Sequence, residues 1–121
     1  MSFSVKAYVC HIADEIDYLL ELSAGLERDS FLEDKTLKRS FVRSLEIIGE
    51  ATKKLPDDFR QQHSQISWKQ MAGMRDKLIH DYFGVDYNLV WEVVINQIPL
   101  LHQQIQDILN QLQELDPPYP R

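Results

Sequence analysis

One cysteine in 121 residues, Cys10, excludes an intrachain disulfide and with it the disulfide-stapled class of small secreted domains. Four glycines and five prolines are too few for a collagen-like or low-complexity chain. No stretch approaches the roughly 18 uncharged apolar residues of a membrane span. The opening Met1-Ser2-Phe3-Ser4 has neither the basic region nor the apolar run of a secretory signal. A cytoplasmic protein is therefore expected. No segment alternates strictly between apolar and polar residues, which argues against strands, and no short repeat is visible. A phosphate-binding glycine loop, a dinucleotide fingerprint, a zinc-ligand spacing and a nucleophile elbow are all missing. Neither a metal nor an organic cofactor is expected.

What is present is a globular composition, with 44% apolar and 26% charged residues. A chain of this length buries roughly two thirds of its unfolded surface on folding and needs no covalent or metal staple. We expect one helical domain over residues 1–116. A flexible tail, Pro117-Pro118-Tyr119-Pro120-Arg121, should follow it.

Thirteen basic residues against nineteen acidic ones give a net charge of -6, unevenly spread. Residues 1–37 carry a net -5, residues 38–77 a net +4, and residues 78–121 a net -5. Phosphate contacts should be sought in the middle third, since Lys and Arg supply the sequence-independent part of nucleic-acid affinity. The other reading of that charge is a basic helix paired with acidic neighbours.

The apolar periodicity is helical throughout. Val5, Tyr8, Val9, Ile12, Ile16, Leu19 and Leu20 step by three and four residues through a first helix reaching about Leu26, with Gly25 as its left-handed stop. Leu37, Phe41, Leu45, Ile48, Ala51 and Leu55 make a second stripe, closed by Pro56, and Asp57 to His63 suit a short helical turn. Ser67 is placed to cap a third helix with Trp68, Met71, Leu78 and Tyr82 inward, ending at Gly84. Asp86 can cap the last, whose stripe runs from Tyr87 through Trp91 and Ile98 to Leu112. Pro99 should kink it by deleting one hydrogen bond and crowding the Ile95 carbonyl. The fold expected is an all-α antiparallel bundle of four main helices.

Most chemically able side chains have an ordinary packing role available. His11, His63 and His102 have no second ligand at a metal spacing, and Cys10 suits a small buried hydrophobe. Trp68, Trp91, Met71 and Met74 suit the core or an interface. Two stretches stand out. In Ser44-Leu45-Glu46-Ile47-Ile48-Gly49-Glu50-Ala51, Glu46 and Glu50 place like charges at i, i+4, and Gly49 and Ala51 permit close approach of another helix. Either Arg43 and Lys54 answer those charges within the helix, or a carboxylate orients a basic group from the third helix. The other stretch, Gly73 to Gly84, holds Arg75 and His80. Five positions put them about 140° apart around an ideal helix, so they share a groove only if the helix bends or a second subunit contributes. The pair suits metal-free RNA cleavage by a 2′-hydroxyl: arginine forks phosphate oxygens and histidine moves protons near neutral pH.

Arg75, His80 and Tyr82 spell R-x4-H-x-Y, and the sequence here resembles HEPN-domain toxins of the HepT type. The stretch from Leu45 to Leu55 is similar to that family's second-helix signature. Trp68, Met74 to Asp86 and Val90-Trp91 match in order and spacing, so the resemblance covers about residues 35–101. It implies a four- or five-helix HEPN-like bundle that forms a homodimer, or a higher assembly, with a composite RNase site at the interface. By the resemblance, Arg75 and His80 are catalytic and Asp76 occupies the polar position after the arginine; Glu46 and Glu50 are the candidate supporting carboxylates that the spacing itself offers. Tyr82 matches the tyrosine that a cognate minimal nucleotidyltransferase (MNT) antitoxin modifies with AMP. The function implied is a metal-independent endoribonuclease toxin with RNA as substrate. The competing expectation is a non-catalytic subunit that presents a nucleotide or substrate to a nucleotidyltransferase.

Overall fold

Ser4 sets the start of the first helix: its hydroxyl accepts from the Ala7 amide at 3.1 Å and so satisfies one open N–H of α1, Val5–Ser23. The computed structural model of the chain describes residues 3–81 and 83–115, and the regular secondary structure among them is entirely helical. The tail and Tyr82 lie outside the described residues. Val9, Ile12, Ile16 and Leu19 are buried along one stripe of α1. The helix stops at Ser23, short of Leu26, because Gly25 turns the chain at φ 71°. Cys10 beside that stripe is half-buried, not sealed in the core as expected.

A six-residue helix, α2 (Arg28–Glu33), was not anticipated. It is too short to show a stripe, and one residue fixes it: Phe31 is fully buried, its ring 4.6 Å from Phe41 and 5.4 Å from Trp91. Asp34 then caps α3 (Lys35–Lys54) by accepting from the Leu37 amide at 3.0 Å. Phe41, Leu45, Ile48 and Ala51 are its buried stripe, and Leu55 is buried just before Pro56. The short α4 (Asp57–Gln62) follows, and the Trp68 indole N–H donates to the His63 carbonyl at 2.9 Å.

Helix α5 spans Trp68–His80. Ser67 holds the N-cap position, but its hydroxyl makes no capping bond there. The helix ends four residues before Gly84. Leu78 is its last buried residue, and Phe83, beyond the helix, is 92% exposed. Asp86 caps α6 (Tyr87–Glu92) through the Leu89 amide at 3.2 Å. A π-helical turn, Val93–Gln97, leads into α7 (Ile98–Leu115). The interruption expected at Pro99 thus takes the form of a wider turn just ahead of it. The Ile98 amide donates to Val93, five residues back, where the ring of Pro99 would crowd a regular α-turn.

Helix α3 packs against both α1 and α5, and α1 also packs against α7. Buried residues from all these helices form one continuous apolar cluster, with Trp68 and Trp91 inside it and Met71 and Met74 packed half-buried at its edge. No helix among the described residues is long and apolar enough to cross a membrane.

Candidate functional site at the seam of α3 and α5

Gly49 determines how near the two helices come. A Cβ at that position would lie 2.2 Å from the Cβ of Arg75 and 2.8 Å from the carbonyl oxygen of Met71, distances that no side chain tolerates. The missing side chain lets α5 lie directly on α3 and roots Arg75 against the α3 backbone.

From that root the guanidinium is held by two carboxylates. Its Nε lies 3.0 Å from Glu50 Oε2 in an ion pair, and its Nη1 donates to Asp76 Oδ1 at 3.0 Å. Lys53 Nζ donates to the same Asp76 oxygen at 2.9 Å. Glu50, Arg75, Asp76 and Lys53 therefore form a charge-balanced chain of contacts bridging the seam. The two cations hold the Asp76 carboxyl below its ordinary value of 3.8, the Lys53 bond being the larger cause and the Arg75 bond the second. Arg75 is the least exposed member, at 28% of its side chain. Ion pairs this open to water contribute little stability; what they supply is orientation. Two edges of the guanidinium are occupied, and Nη2 makes no hydrogen bond or ion pair with a described residue.

Of the two readings left open for the acids of α3, the second is realised for Glu50, which orients a basic group from α5. Neither Arg43 nor Lys54 forms an ion pair with a described carboxylate. Glu46 is not brought to Arg75. It lines a separate shallow pocket with Arg39, Leu78 and Tyr87 and has no ion pair with a described residue. Lys53 was not singled out beforehand, and no local pattern points to it, because its partner lies 23 positions away.

His80 is the last residue of α5 and is exposed. Its side chain makes no hydrogen bond or ion pair with another described residue. The helix is regular from Trp68 to His80, so no bend within one chain turns Arg75 and His80 onto the same face. Of the other histidines, His102 lies 3.5 Å from Asp17, and His11 contacts the rings of Phe3 and Tyr8. Among the described residues no three His, Cys, Asp or Glu side chains are grouped to hold a metal.

Comparison with known proteins gives these residues a family. Residues 12–108 match the family described as Ribonuclease HepT-like. A protein of Caldanaerobacter subterraneus, provisionally named as an RNase, is 51% identical over 104 residues, covering 86% of this chain and 93% of that one. A Methanocaldococcus jannaschii protein, also provisionally named as an RNase, is 39% identical over 112 residues, or 93% of each chain. The "Probable ribonuclease HepT" of Thermococcus cleftensis is 46% identical over 101 residues, covering 84% of this chain and 92% of its own. No solved structure matches. With a match over most of its length and relatives this similar, the chain belongs to the HepT-like ribonuclease family.

Proposed function

We propose that this protein is an endoribonuclease that cleaves RNA without a metal, with Arg75 and His80 as its catalytic residues. The observation that carries the reading is the fixing of Arg75. A guanidinium tied at Nε and Nη1 by Glu50 and Asp76, with Nη2 left open, is preorganised to meet a phosphate oxygen as negative charge builds there. Asp76 and Glu50 are positioning residues. Glu46, on another pocket, has no part in this proposal.

The chemistry is transesterification. A histidine base takes the proton of the ribose 2′-hydroxyl, whose oxygen bonds to the adjacent phosphorus. The bond from phosphorus to the 5′-oxygen breaks, and that oxygen leaves with a proton from an acid. The products are a 2′,3′-cyclic phosphate and a 5′-hydroxyl. Helix α5 of one chain offers a single histidine, His80, whereas the reaction uses a base and an acid. A homodimer places two His80 side chains at one phosphate and resolves the separation of His80 from Arg75 within a chain.

Control is proposed to run through Tyr82, two residues beyond His80. A cognate nucleotidyltransferase antitoxin would transfer AMP to its hydroxyl, and the pair would act as toxin and antitoxin. Each AMP adds a phosphodiester, about one negative charge, and a bulky base two residues along the chain from His80, and both oppose RNA.

Incubation of the purified protein with total and transfer RNA, with and without EDTA, tests the activity. Cleavage that survives EDTA and leaves cyclic-phosphate ends is expected. His80→Ala should abolish it with the helical spectrum unchanged, and Arg75→Lys should lose at least about tenfold, since lysine keeps the charge without the planar fork. Undiminished cleavage by His80→Ala would exclude His80 as proton carrier, and no cleavage by the wild type would favour a subunit that only binds nucleotide.

A further inference from the structure

On the side of α3 that faces the start of α1, a cavity of about 560 Å³ opens between three rings and two cations. Phe3, Tyr8 and His11 meet edge to face: the centroids of Phe3 and Tyr8 are 5.9 Å apart, and those of Phe3 and His11 are 5.5 Å apart. Each edge-to-face contact covers one ring face and leaves the others open; Phe3 is 60% exposed and His11 is exposed as well. Arg43 and Lys54 line the same cavity from α3. Eleven residues separate them, three helical turns or about 16 Å, so they flank the rings and do not face each other. The acid lining the cavity, Glu50, is bound to Arg75 at 3.0 Å, and neither cation forms an ion pair with a described residue.

Uncovered aromatic faces between unanswered cations suit an unpaired nucleotide. Bases stack on such rings whatever their identity, and the cations meet the phosphates on either side. A helical partner would want a continuous apolar stripe, and a duplex would hide the base faces. The position matters as well. Glu50 is at once the wall of this cavity and the anchor of Arg75, so a strand with its phosphate at Arg75 reaches the rings by crossing α3.

We propose that this cavity seats an unpaired nucleotide of the RNA strand, its base on the rings of Phe3, Tyr8 and His11 and its flanking phosphates at Arg43 and Lys54. The inference rests on the ribonuclease reading for the identity of the strand. It makes the preferred substrate single-stranded near the scissile bond.

The test is fluorescence anisotropy with a labelled all-2′-deoxy strand of about ten nucleotides, within the site sizes of single-strand binders. Lacking the 2′-hydroxyl, this strand reports binding without cleavage. Phe3→Ala should weaken binding by about fivefold or more, and Phe3→Trp should keep it. Arg43→Gln combined with Lys54→Gln should flatten the plot of log affinity against log salt by about 1.4, at roughly 0.7 per single-strand phosphate. A duplex of equal length should bind more weakly. Unchanged affinity and slope in these variants, equal binding of the duplex, or no binding by the wild type would overturn the proposal. So would variants that alter the sedimentation mass but not the affinity, because the face would then join copies of the chain. RNA cleavage by the wild type with normal binding by the variants removes the site and keeps the ribonuclease reading. Variant-sensitive binding without any RNA cleavage does the reverse.

Discussion

Asp76 lies between Lys53 and Arg75, bonded to both through one oxygen, and its titration reports how the seam is held. A carboxyl whose folded pKa is depressed contributes where it is ionised in both states, above the unfolded value near 3.8, and loses that contribution as pH falls through the lower folded value. From neutral pH down to about 4 the Asp76 contacts should therefore be unaffected, with Arg75 losing this partner only in stronger acid. An NMR titration of the Asp76 carboxyl should place its midpoint below 3.8, and Lys53→Ala should move it upward, since the Lys53 bond is the larger cause. A midpoint at or above the ordinary value would mean that the bonds do not persist in solution. At this scale the sequence marked Arg75, Asp76 and Glu50 but not which carboxylate answers which cation. Lys53 escaped notice because a pairing 23 residues long leaves no trace in local spacing.

Two glycines on adjacent helices make opposite predictions at the scale of elements. Gly49→Ala would put a Cβ 2.2 Å from the Cβ of Arg75 and 2.8 Å from the Met71 carbonyl, forcing α3 and α5 apart. The expected cost is about 1–3 kcal/mol, as for overpacking elsewhere, with Arg75 displaced from Glu50 and cleavage reduced as well. Gly73→Ala, on α5 with nothing within 4 Å of the added carbon, should instead stabilise by about 0.5–1 kcal/mol. Thermal melts of the two variants check both signs; equal melting temperatures would contradict the close packing. Element boundaries followed the sequence where a cap or stop acts locally, as at Asp86, Gly25 and Pro56. They departed from it where burial decided. Helix α2 exists because Phe31 fits between Phe41 and Trp91, and α5 ends at His80, two residues past its last buried side chain, Leu78.

For the whole molecule the prediction is assembly. If two His80 side chains are needed at one phosphate, the protein should sediment at twice its 14.2 kDa chain mass at micromolar concentration. Sedimentation at the single-chain mass together with full activity would contradict the composite site. The same assembly is the proposed target of silencing. Mass spectrometry after incubation with the cognate nucleotidyltransferase and ATP should show added AMP on the wild type and none on Tyr82→Phe. That variant should still fold and should escape inhibition. Equal modification of both would place the switch elsewhere.

Helical class, the four long apolar stripes and the basic middle third were determined along the chain, because they depend on spacings of three and four residues and on counts of charge. The resemblance of residues 35–101 to a nuclease family was likewise carried by letters in order. Tertiary structure alone decided that Glu50 and not Glu46 meets Arg75, that Lys53 shares Asp76, and that Arg43 and Lys54 are left beside a cluster of rings. It also separated His80 from Arg75 within one chain. Those outcomes depend on the rotation and distance at which α3 meets α5 and α1, set by the Cβ that Gly49 lacks and by which side chains interlock, and no local period encodes either.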